Sequence, residues 1–139
     1  FLALLAEALA KTRQIGEGLH VLEEALEISL RTGERSYQAE LYRLKGECLL
    51  TQAKGRSSAQ AARSLADAED CFNQSIRIAQ RQKAKSLELR AVRSAARLYQ
   101  HQRKRKKAQD ILAPVYESFT EGFDTLDLRE AKTLLAELA

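Results

Sequence analysis

Apolar side chains recur three and four residues apart in block after block of this chain, and that spacing fits an α-helix with one buried face. Leu2, Leu5 and Leu9 mark a first helix. Leu19, Leu22, Leu26 and Leu30 form a second stripe, closed by Gly33 as a C-cap after a turn near Gln14 to Gly18. Tyr37, Leu41, Leu44 and Cys48 open a third helix, and Tyr42 and Leu49 give it a second apolar stripe. Two stripes on one helix imply neighbours on two sides, as in a stacked array. Leu65, Ala68, Phe72, Ile76 and Ala79 define a fourth helix, starting as early as Ala59 after a loop in which Ser57 or Ser58 is placed to cap it. Leu87, Ala91, Ala95 and Leu98 define a fifth. Ala108, Leu112, Val115 and Phe119 define a sixth, kinked by Pro114 and ended by Gly122. Leu128, Ala131, Leu135 and Leu138 give a terminal helix with Asp124 or Thr125 as its cap. No stretch alternates with period two. The expected fold is all-α, with about seven antiparallel helices joined by short turns.

Composition narrows the class. The 139 residues are 45% hydrophobic and 30% charged, which suits one folded domain with a real core and is too apolar for a disordered tail. No apolar run reaches the roughly 18–20 residues that span a bilayer, so no membrane partner is expected. The chain contains no Met, so Phe1 is not a natural translation start and the sequence is expected to be a fragment of something larger. Cys48 and Cys71 sit in apolar helical patterns, which predicts buried free thiols and a reducing, cytoplasmic setting over a disulfide or metal pair.

Small residues recur at matching offsets. Leu2, Ala6 and Leu9 are followed by Gly18, Leu22 and Ala25; Tyr42, Gly46 and Leu49 by Ala68, Phe72 and Ser75; Val92, Ala96 and Tyr99 by Ala108, Leu112 and Val115. Small side chains belong where helix axes approach to about 8–10 Å. Over nearly its full length the chain resembles the tetratricopeptide (TPR) repeat family, whose unit is a helical hairpin of about 34 residues. The second repeat carries about ten extra residues between Gly46 and Ala68, which lengthen a helix or a turn, and the family's closing Pro is absent from all three repeats. The resemblance implies antiparallel hairpins stacked as a right-handed superhelix. Its repeats would lie at 1–33, 34–82 and 84–120, with a capping helix at 125–138, in a single domain over 1–139. The first helix, with nothing covering Leu2, Leu4, Leu5 and Leu9, is a candidate homodimer surface.

The tail sharpens this. The segment from Ala84 to Ala91, with Leu112-Ala113-Pro114-Val115-Tyr116 and the stretch from Phe119 to Thr125, looks like the carboxyl-terminal repeats of large bacterial signalling proteins that carry an adenylate or guanylate cyclase, DNA-binding or ATPase domain elsewhere. The resemblance implies a sensing or docking module whose partners are a protein or peptide segment, acidic in character, or other domains of its own parent chain.

Catalytic constellations are missing from the sequence. His20 and His101 have no Cys or carboxylate at triad or ligand spacing, and Gly16-Glu17-Gly18 lacks the rest of a phosphate loop. No catalytic residue, cofactor or metal is expected. In the family the first helix of each hairpin lines a groove. Carried over, those positions are Glu40, Arg43, Leu44, Glu47 and Leu50, then Arg90, Arg93, Ser94, Arg97 and His101. Arg90, Arg93 and Arg97 share one helical face, a candidate rail for an acidic segment. Internal pairing with Glu40, Glu47, Asp127 or Glu130 would use the same charges. The run Arg103-Lys104-Arg105-Lys106-Lys107 is a candidate basic patch. It suits a solvated turn, an acidic partner or nucleic acid. The last is disfavoured, because aromatics for base stacking are not interleaved.

Overall fold

The computed structural model describes residues 15–139, and the structural statements below concern these residues. Six α-helices make up the fold: α1 Ile15–Thr32, α2 Gln38–Ala53, α3 Ser58–Arg81, α4 Lys85–His101, α5 Arg105–Glu117 and α6 Leu126–Leu138. No strand occurs among the described residues. The expected first helix, with its candidate dimer surface and Ala6, lies outside them. None of the described helices is long and apolar enough to cross a membrane.

Successive helices are antiparallel. The Ser75 hydroxyl donates to the Ala39 carbonyl at 2.6 Å while Phe72 lies against Gly46, so numbers fall along α3 as they rise along α2. Gln80 donates to Glu88 at 3.0 Å and the Tyr99 hydroxyl to Glu69 at 2.6 Å, which sets α4 against α3 the same way. Alternate helices run parallel: α2 touches α4, and α4 touches α6. Their cross-links keep a nearly constant register, 50 or 51 residues from α2 to α4 and 37 from α4 to α6. Helices contact only neighbours one or two places along, and α1 packs on α2 alone among the described helices. The described chain is therefore a row of hairpins and not a bundle closed around one axis.

The small residues sit where the row needs them. Gly46 is buried, and a Cβ built on it would meet the Phe72 ring at 2.5 Å. Only a hydrogen lets α2 lie this close to α3. Ala68, Ala96 and Ala108 are fully buried, and Gly18 is buried within α1. One core joins Phe72 of α3, Leu89, Val92, Leu98 and Tyr99 of α4, Leu112 of α5, and Leu128, Leu134 and Leu138 of α6. A second joins Leu22 and Leu26 of α1 to Leu41, Leu44 and Cys48 of α2. Tyr42 packs on this second cluster and on a small third one around Ala39, Ile78 and Ala79, while Leu49 packs on the first, so α2 does use two apolar stripes.

Between Gly46 and Ala68 the chain finishes α2, passes the loop from Lys54 to Ser57 and enters α3, which reaches 24 residues. Two turns share one geometry. After α3, Lys83 adopts φ +56° and the Ala84 N–H donates to the Ala79 carbonyl at 2.9 Å; after α4, Arg103 adopts φ +62° and the Lys104 N–H donates to the Tyr99 carbonyl at 2.7 Å. This is the left-handed cap that glycine ordinarily supplies, as Gly33 does after α1 with φ +77°.

Five local expectations change, the first at the turn expected near Gln14 to Gly18: Ile15 to Gly18 already belong to α1, where Gly18 is buried. The sixth predicted helix stops at Glu117 and does not run on to Gly122. Pro114 has no N–H to offer the Asp110 carbonyl, and the end tightens into three-residue turns, the Ser118 N–H donating to the Val115 carbonyl at 3.2 Å and the Ser118 hydroxyl to the same carbonyl at 2.7 Å. Leu30 is 63% exposed, because the buried face of α1 continues through Ser29. Tyr37 is 70% exposed and serves as the N-cap of α2 instead of opening its apolar stripe. Ser57 and Thr125 occupy N-cap positions, but neither side chain makes the capping hydrogen bond.

Candidate functional site

The candidate groove residues lie along the parallel helices α2 and α4, and their charges are spent largely on one another and on Asp127 and Glu130 of α6. Arg43 pairs with Glu40 one turn earlier on α2. Arg90 bridges outward both ways, 2.8 Å from Glu40 on α2 and 2.9 Å from Asp127 on α6. Arg93 pairs with Glu130 and stands 3.9 Å from Asp127, and Arg97 stands 3.8 Å from Glu130. Arg43 also reaches the Ser94 hydroxyl at 3.4 Å. The ladder thus staples three helices together, the internal pairing that the sequence left open.

Burial grades this network. The side chains of Arg43, Glu40 and Arg93 are 13%, 15% and 11% exposed, whereas Arg90 and Arg97 are 40% and 51% exposed. The hydrogen bond to Asp127 raises the Arg90 pKa above its ordinary value. Desolvation pulls Arg93 below its own, against the opposing pull of Glu130. Three of the expected groove residues pack inward, Leu50 among them against the core shared by α3 to α6. Leu44 packs in the α1–α2 core and Ser94 is 2% exposed beneath Arg43. Glu47 is half-buried and enters no ion pair among the described residues, while His101 is exposed at the end of α4.

Beside the ladder an open cleft of about 360 Å³ runs along α6, lined by Arg97, Leu126, Arg129, Glu130, Thr133 and Glu137, with Leu134. Register explains it. Adding 37 carries Val92, Ala96 and Tyr99, the α4 positions buried against neighbouring helices, onto Arg129, Thr133 and Ala136 of α6, all exposed. The terminal helix is placed like α2 and α4 but has polar or small residues where they carry packing ones.

The basic run splits in two. Lys107 lies 3.6 Å from Glu69 and 4.5 Å above the Tyr99 ring, so it belongs to the α3–α4–α5 junction. Arg103, Lys104, Arg105 and Lys106 are exposed and take part in no ion pair among the described residues. Burial first, and then the hydrogen bond to Glu69, raises the Tyr99 phenol pKa. The Glu69–Tyr99–Lys107 group escaped sequence reading because its members come from three helices.

Both cysteines are free and buried, as expected, and desolvation pushes Cys48 up to about 11. His20 stands 3.9 Å from Glu24 on the exposed face of α1. No group of three or more metal-ligating side chains occurs among the described residues. No family model, curated protein or solved structure matches the chain.

Proposed function

We propose that the chain is a tetratricopeptide-type module, curved as a right-handed superhelix, that docks a polypeptide partner and performs no chemistry itself. The observation that carries this reading is the layer made by α2, α4 and α6. Three parallel helices are held in register by the Glu40–Arg90–Asp127 and Arg93–Glu130 links, and a cleft lies open along the last. A stapled layer keeps its shape on binding, so little ordering cost falls on the scaffold. Polar substitution on α6 supports its role as the capping helix. The tail resemblance supports placement in a cytoplasmic bacterial signalling or regulatory protein, with any cyclase or ATPase output on other parts of the polypeptide. Buried thiols suit a reducing compartment.

Selection of a short random peptide library against the chain tests the docking reading. Peptides should enrich on the unmodified chain and lose binding when Arg97 and Arg129, both on the cleft, become Glu. Failure of any sequence to enrich, or enrichment indifferent to these changes, removes the cleft as the docking site. A second reading, nucleic-acid binding, has one observation in its favour: the exposure of Arg103 to Lys106 without carboxylate partners among the described residues.

A further inference from the structure

We infer that the α2–α3 loop and the α4–α5 turn form one cationic docking surface at a single end of the helix row, fitted to an acidic polypeptide segment. The inference rests on the docking reading and adds a place and a chemistry to it. The Glu40–Arg90 and Arg43–Ser94 contacts fix α2 and α4 as parallel neighbours with a register of 50 or 51 residues. The same register carries Lys54, which follows α2, onto Lys104, which precedes α5. Adjacent helices pack about 8–10 Å apart, so two loops distant in sequence come to stand side by side.

Lys54, Arg56, Arg103, Lys104, Arg105 and Lys106 are all exposed, and none forms an ion pair among the described residues. Arg56 makes a single hydrogen bond, to the Ser64 hydroxyl at 3.3 Å. Holding these cations in place opposes local stability twice. Arg103 occupies a left-handed conformation that favours glycine, with φ +62°. Arg105, Lys106 and Lys107 fill the first turn of α5, where the helix dipole already presents positive charge. An acidic ligand would offset the second penalty.

The surroundings favour a short acidic segment over a polynucleotide. The six cations include no aromatic neighbour in the two loops on which bases could stack. A run of a few Asp or Glu matches the number of cations in the patch. Arg supplies forked hydrogen bonds to carboxylates, and Lys supplies mobile point charges.

Fluorescence anisotropy with a labelled oligoglutamate peptide and a labelled short DNA duplex tests this on the full chain. The peptide should bind, more weakly as salt rises. Its Kd should increase roughly tenfold for K104E/R105E and again for K54E/R56E, while K83E at the opposite end leaves it unchanged. The neutral pair K104Q/R105Q should give an intermediate loss, and unchanged thermal melts would show that the fold persists. Sensitivity confined to one loop would overturn the single surface. Tighter, steeply salt-dependent binding of the duplex would establish the polynucleotide instead. Binding of neither probe would make the cluster a solvated turn. Library peptides that still select the α6 cleft would then leave the docking reading standing without this surface.

Discussion

Gly46 is the residue on which the packing of α2 against α3 turns. Its missing Cβ leaves room for the Phe72 ring, which is fully buried. Gly46→Ala must displace that ring within a packed core. Urea denaturation should show a loss of about 1–3 kcal/mol, partly recovered when Phe72→Leu is added. Lys83 and Arg103 present the opposite case, since each holds a left-handed turn at a steric cost. Lys83→Gly should stabilise the chain by about 0.5–1 kcal/mol in the same measurement. Cys48 gives a pH signature. Its thiol is neutral when protonated, and burial lifts its pKa from an ordinary 9.0 to about 11. The folded pKa exceeds the unfolded one, so this contribution is complete below about pH 9 and is lost as pH rises through about 11. The Tyr99 phenol, also raised, acts in the same direction. Stability measured against pH should therefore fall on the alkaline side, and Cys48→Ala should flatten part of the slope. At pH 8 a thiol reagent should modify neither cysteine until denaturant is added.

Among the elements, α6 is tied to α4 by ion pairs as well as by apolar packing. Its apolar residues Leu128, Ala131, Leu134 and Leu138 seat it against the core, and Asp127 and Glu130 fix its height on α4 through Arg90 and Arg93. Glu130→Ala removes the carboxylate that faces Arg93, whose side chain is 11% exposed. The cost should be about 1–2 kcal/mol, moderated because Glu130 itself is about one-third exposed. Hydrogen exchange should show the loss first as faster exchange in α6. The α5–α6 connection adds little resistance, with Phe123 meeting Tyr116 edge-on at 6.1 Å and remaining 47% exposed.

At the scale of the molecule, contacts between neighbours only make stability a sum of local interfaces. The large core shared by α3, α4, α5 and α6 should form the most protected block in hydrogen exchange. The α1–α2 cluster should exchange separately and sooner, because among the described helices α1 is secured only through α2. A single uniform protection level across α1 and α4 would contradict this linear organisation.

The helical character of the described residues and the buried small residues were legible in the sequence, because three-and-four spacing and the matched small positions are local consequences of helical geometry, whereas the turn expected near Gln14 to Gly18 is helix from Ile15 and the helix expected to reach Gly122 stops at Glu117. The long stretch between Gly46 and Ala68 was visible in the sequence, but its division into the end of α2, a short loop and the start of a 24-residue α3 was not. The arginine ladder could be read as a face, yet its partners could not be chosen, since ligand and neighbouring carboxylates offer the same chemistry. That choice fell to the register of α4 against α2 and α6, which sets Arg90 between Glu40 and Asp127. The meeting of Lys54 with the α4–α5 turn has the same origin. Spacing along a chain determines which residues share a helix face, and only the docking of one helix on another determines which faces meet.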